Sequence, residues 1–140
     1  MFAPIDGFQL FLRLSCACLA GLIIGGERES QRKSAGLRTH ILVCFGSALL
    51  VLVSIQTGAA QQSIEAFSRV VQGVITGVGF IGAGTIFHSD RVHGLTSAAA
   101  VWVSAALGIT AACGLLWLTL LSAVMTWFVL RVLDKFEKII

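Results

Sequence analysis

The residues able to do chemistry in this chain stand in three places. The first is the stretch Gly25-Gly-Glu27-Arg28-Glu29-Ser-Gln-Arg32-Lys33-Ser-Ala-Gly36-Leu-Arg38-Thr39-His40. Glu27 and Glu29 are cation ligands or ion-pair partners by type, with Arg28 and Arg38 as the bases closest to hand, and Thr39 and His40 add a hydroxyl and an imidazole. The second is His88-Ser-Asp90-Arg91-Val-His93-Gly94-Leu-Thr96-Ser97. Its two histidines are five positions apart, which suits neither a helical metal pair nor an HExxH zinc site. Thr96 or Ser97 reads as the N-cap of a following helix. The third is Arg13, alone in an apolar run, which either snorkels toward a membrane surface or pairs inside a bundle. No Ser-His-Asp grouping, phosphate loop or paired-carboxylate site assembles from these residues, so the chain is not expected to be an enzyme. Cys16, Cys18, Cys44 and Cys113 fall in apolar runs with no CxxC spacing, as small packing residues or as a redox or modification site.

The elements that position these groups must be membrane helices. Of 140 residues, 56% are hydrophobic and 12% charged, against about 25% charged in soluble domains. The expected fold is an all-α polytopic bundle in one domain, 1–140, with the lipid bilayer as its first partner. Apolar runs cover 8–25, 39–56 and 70–87, followed by 36 residues from Ser97 to Val132. A span needs roughly 20 residues, so that last stretch divides, near Ala112–Gly114, into 97–112 and 115–132. Five spans result. The first twelve residues hold no Lys or Arg and no small-x-small cleavage site follows, so the first span is expected to be retained.

Charge fixes a direction. With five spans and the N-terminus outside, Arg28, Arg32, Lys33, Arg38, Arg91, Arg131, Lys135 and Lys138 fall inside, and Arg69 alone falls outside. The positive-inside rule then predicts a periplasmic N-terminus and a cytoplasmic C-terminus. Glu27, Arg28, Glu29, Arg38, Thr39 and His40, with Asp90 joining, form a candidate cluster on the cytoplasmic rim. Pairing between the acids and Arg28 or Arg38 would make Arg38 matter more than Lys33, which reads as the exposed middle of a loop.

The third span carries Gly73, Gly77, Gly79, Gly82 and Gly84, five glycines in twelve residues. At roughly 100° per residue, Gly73, Gly77 and Gly84 share one face and Gly79 and Gly82 another. Gly21 and Gly25 make a GxxxG in the first span. Two readings stand: faces on which another backbone packs closely, so that Leu at Gly77 or Gly82 is not tolerated, or a broken central helix lining a pathway.

Three blocks in order give a resemblance. Gly21-Leu-Ile-Ile-Gly25-Gly-Glu27-Arg28-Glu29 with Ala35-Gly-Leu-Arg38-Thr39-His40, then Gly77-Val-Gly79-Phe80-Ile-Gly82-Ala83-Gly84, then Val92-His-Gly94-Leu95-Thr96-Ser97-Ala98-Ala99 and Trp102 resemble the MgtC/SapB family of bacterial membrane proteins. The likeness spans about residues 10–115. It implies a five-helix domain of the bacterial inner membrane, tied to growth under magnesium limitation, acid adaptation or survival in hosts. Some members continue into a soluble cytoplasmic domain, and this chain, ending eight residues past Val132, is expected to represent the membrane domain alone.

Two functions follow. One is a non-enzymatic modulator acting through helix contacts, as a homo-oligomer or with another membrane protein. The other is a transporter or channel for a small ion such as Mg²⁺. Because Mg²⁺ favours carboxylates and phosphates, and the acids stand at span ends rather than midway, the modulator is favoured. No resident cofactor and no nucleic-acid partner are expected; Mg²⁺ is the candidate ligand.

Overall fold

Short polar residues and glycines set the helix starts. The computed structural model describes residues 4–88 and 90–137, with Phe87, His88 and Glu137 described by their backbone alone. Asp6 caps α1 (Gly7–Ser30), its carboxylate accepting from Gln9 N at 3.0 Å. Gly36 opens α2 (Leu37–Gln56), and the left-handed Gly58 (φ +81°) leads into the single turn α3 (Ala59–Gln62). Ser63 caps α4 (Ile64–Gly84) through Ala66 N at 3.0 Å. A two-residue antiparallel pair, β1 (Phe87–His88) with β2 (Val92–His93), turns the chain into α5 (Leu95–Ala112). Gly114 (φ +81°) then turns it into α6 (Leu116–Glu137).

The architecture is an all-helical bundle, and α1, α2, α4, α5 and α6 are each long and apolar enough to cross a membrane. Three boundaries differ from the sequence expectation. The first helix runs to Ser30, so Glu27, Arg28 and Glu29 lie on its last turns and the connecting loop shrinks to 31–36. The third span begins at Ile64, because Ser63 and Glu65 supply a cap and a favourable first-turn charge to a stretch too polar for its hydropathy to reveal. The N-cap of α5 is Gly94 (φ +92°), with neither Thr96 nor Ser97 in that role. A Cβ at Gly94 would meet the Thr85 carbonyl, so only glycine turns the chain there.

The core lies between α1, α2 and α5. Ala17, Ala20, Ile24, Cys44, Ala48, Val51, Ile55, Ala111 and Ala112 are fully enclosed. Their small side chains let the three axes come close. Helix α6 lies along α1 and α5. Helix α4 is attached along one strip, where Val74 and Val78 meet Val43, Val101 and Ala105. At one rim, called here the basic rim, α1 and α6 end and α2 and α5 begin. The opposite rim holds the chain start, where Ile5 N donates to the Gln56 side chain at 2.7 Å and Gln56 Nε2 donates back to the Ile5 carbonyl at 3.0 Å.

Candidate functional site: the charged rim and the glycine faces

Part of the expected rim cluster comes together, with partners other than those expected, and Arg38 and Asp90 stand apart from it. Glu27 is 4% exposed, on the last turns of α1. One carboxylate oxygen accepts from Arg131 Nη1 of α6 at 3.1 Å and the other from Gln31 Nε2 at 3.0 Å. Arg28, also 4% exposed, reaches the start of α5, where Nη2 donates to Ser97 Oγ at 2.7 Å. Together the two residues tie α1 to α5 and α6. An unpaired charge buried at such a place costs several kcal/mol, by order of magnitude, so each needs its partner.

Glu29 is exposed and pairs with no arginine among the described residues. Its Oε2 accepts from Leu37 N at 2.9 Å and lies over Gly36, so the carboxylate caps the N-terminus of α2, where the helix dipole favours negative charge. His40 is fully buried. Its Nδ1 makes a 2.7 Å hydrogen bond with the Gly36 carbonyl, which requires a proton on Nδ1. His40 Nε2 and Arg28 Nε are enclosed with no hydrogen-bond partner among the described residues.

Arg38 corrects the sequence expectation. It is exposed on the first turn of α2 and forms no ion pair among the described residues. The loop lysine holds the contact instead, with Lys33 Nζ 3.4 Å from the Asp134 carboxylate of α6. Thr39 is half-buried and lines a groove described below. Asp90 is exposed and forms no hydrogen bond or ion pair with the cluster among the described residues. Lys138, one of the inside charges, lies outside the described residues, as does the side chain of His88. Sequence reasoning missed Arg131, Asp134, Gln31 and Ser97 as members. The available signal was that antiparallel neighbours bring the end of one span beside the end or start of another.

Arg13 neither snorkels free nor meets an acid. Its Nη1 donates to the Ala112 carbonyl at 2.7 Å, and its guanidinium lies against Gly114, so it caps the C-terminal end of α5 near the opposite rim.

The glycines divide sharply. A Cβ on Gly21 would come 2.6 Å from Ile41 Cα, and one on Gly25 would come 2.8 Å from Leu37 Cα. The first-span GxxxG is therefore the close crossing of α1 and α2. Gly108, not singled out from sequence, is tighter still, its added Cβ overlapping the Cys44 carbonyl. On α4, Gly73, Gly77, Gly79 and Gly84 have nothing within 4 Å of an added Cβ, and Gly82 meets only Ala98, at an ordinary 3.7 Å. The expectation that backbones meet is not met at Gly77 among the described residues, whereas Gly82 is buried with the Ala98 backbone at van der Waals distance from an added Cβ. Valines at 74 and 78 make the attachment and hold the neighbouring helices off. Gly73 and Gly77 instead open an apolar groove of about 690 Å³ between α2 and α4, floored by Val43, Ser47 and Val74. Helix α4 is continuous through all five glycines.

Among the described residues, no three of His, Cys, Asp and Glu converge as a metal site would require. The cysteines are free thiols, with Cys44 Sγ donating to the Ser104 carbonyl at 3.1 Å.

The model of the MgtC family matches residues 14–139. Protein SrpB of Synechococcus elongatus is 43% identical over 145 residues, covering 96% of this chain and 78% of its own length. The Escherichia coli K12 protein named "Putative magnesium transporter YhiD" is 43% identical over 132 residues, and Salmonella typhimurium LT2 Protein MgtC is 39% identical over 109. The matches take in 91% and 77% of this chain but only 61% of YhiD and 44% of MgtC. No solved structure matches.

Proposed function

This chain belongs to the MgtC family of multi-pass membrane proteins, and on that premise we propose that it is a non-enzymatic modulator of the bacterial inner membrane, serving adaptation to magnesium limitation or to acid and host stress. It acts through helix contacts inside the bilayer rather than by moving an ion. The observation that carries this reading is the engagement of Glu27. Its buried carboxylate is already met by Arg131 and Gln31, so the rim works as a clamp on α1, α5 and α6. Mg²⁺ keeps several waters and asks for free carboxylates or phosphates, and a cation arriving here would first have to displace an arginine. The positive-inside balance supports a periplasmic N-terminus and the clamp on the cytoplasmic side.

The name of the YhiD relative carries the other reading, magnesium transport. Purified protein in liposomes loaded with a magnesium indicator separates the two. The modulator reading expects influx equal to that of empty liposomes, from protein that restores growth at low magnesium to a strain lacking its own family member. Saturable Mg²⁺ influx above that background would establish the transporter.

A further inference from the structure

Helix α4 is built the wrong way round for a span that meets only lipid. Its buried residues, Val74, Val78 and Gly82, lie on one face. Counting roughly 100° per residue, the side turned away carries Glu65, Arg69, Gln72, Thr76 and Ala83, with Gly79 and Phe80 on its two flanks, all exposed. Glu65 and Arg69 pair with each other at 2.6 Å near the opposite rim. Gln72 and Thr76 lie deeper, about 12 and 18 Å along the helix from Ile64 at about 1.5 Å per residue. Neither side chain makes a hydrogen bond among the described residues, whereas Thr110, Thr119 and Thr126 each bond a carbonyl of their own chain. In hydrocarbon a primary amide without partners is costly, and lipid tails supply neither donor nor acceptor.

We propose that this face is a self-association seam, on which α4 of a second copy of this chain packs in the same membrane. The occupant follows from the chemistry. Copies inserted in one direction can be related by a two-fold axis along the membrane normal, which brings each seam residue near its own counterpart. An amide is self-complementary, so two Gln72 side chains satisfy one another as donor and acceptor. Gln72, Thr76, Gly79 and Ala83 follow the i, i+4, i+7, i+11 spacing of a left-handed helix seam. The small residues at 79 and 83 allow close approach where, among the described residues, no neighbouring element lies within 4 Å of a Cβ added at Gly79. At the rim, Glu65 and Arg69 can exchange partners across the axis, acid to base. This inference stands apart from the modulator reading and holds equally for a transporter.

Cysteine crosslinking of the full chain in native membranes tests it, the unaltered chain with its four cysteines giving the background. Thr76→Cys, Gly79→Cys and Ala83→Cys should each yield a species of twice the mass on oxidation. Ile81→Cys, on the groove side, should stay at background. Gln72→Leu should weaken association in bilayers, read by energy transfer between labelled copies, on the order of threefold to tenfold, with the melting temperature of the detergent-solubilised monomer unchanged. Crosslinking strongest at Ile81, capture of a different protein by the seam cysteines, or association indifferent to Gln72→Leu would each overturn the proposal.

Discussion

The glycines of α1 and α5 and those of α4 are the same residue in spans of similar apolarity, and they have opposite surroundings. At Gly21, Gly25 and Gly108 a neighbouring backbone occupies the space a side chain would need. At Gly73, Gly77, Gly79 and Gly84 that space is open. The difference follows from what flanks them. Alanines and a cysteine beside the first set let whole helices close together, while Val74 and Val78 hold α4 against the bundle on branched side chains. A glycine motif in a membrane span thus marks close approach only where its own face turns toward the bundle. On an outward face it offers that approach to something else.

The largest effect expected is at the tight set. Gly108→Ala and Gly21→Ala each force a methyl into a backbone, a strain of about 1–3 kcal/mol or more, and should sharply lower folded yield by size-exclusion chromatography. Gly77→Ala and Gly84→Ala should leave yield unchanged and, by helix propensity, raise the melting temperature slightly. A similar loss at all four positions would erase the distinction between the two regions.

Next comes the clamp that holds the tight region at its rim. Glu27→Ala removes a buried acceptor from Arg131 and Gln31. Because Arg131 is 42% exposed and can return to water, the cost should be roughly 1–3 kcal/mol rather than the full penalty of a stranded buried charge. Exchanging the pair, Glu27→Arg with Arg131→Glu, should recover part of the loss in melting temperature. No recovery would mean the position tolerates only the acid, for a reason other than this pair.

Arg13→Ala should cost less, about 1 kcal/mol, since it uncaps one helix end, and Arg13→Lys should recover part of it. The smallest effects belong to the outer rim. Lys33→Ala removes a half-exposed contact with Asp134 worth about 0–1 kcal/mol, and Arg38→Ala should be smaller still in melting temperature. If Arg38→Ala nonetheless abolishes complementation at low magnesium, its exposed guanidinium contacts a partner rather than this chain.

The number of spans, the close crossing at Gly21 and Gly25, and the gathering of charge at one rim were legible in sequence, because each rests on local periodicity or on charges at span ends. The partners were not. Glu27 meets Arg131, 104 positions away, and Arg28 meets Ser97, 69 away. Such pairings depend on which helices stand side by side. Gly108 was invisible for the same reason, lying alone in an alanine-rich run with no repeated spacing to mark it. Which face of α4 turns outward was not legible either, because Gln72, just before the five glycines, and Thr76, among them, carry no local mark of which neighbours stand beside them.

One comparison tests the account most directly: Leu at Gly79 and Leu at Gly108, each measured for monomer melting in detergent and for association in bilayers. Gly79→Leu is predicted to leave melting unchanged and to remove association, because its side chain enters only the space between copies. Gly108→Leu is predicted to prevent folding outright. Normal association by Gly79→Leu, or its failure to fold like Gly108→Leu, would contradict the division of this molecule into a tight core and an outward-facing helix.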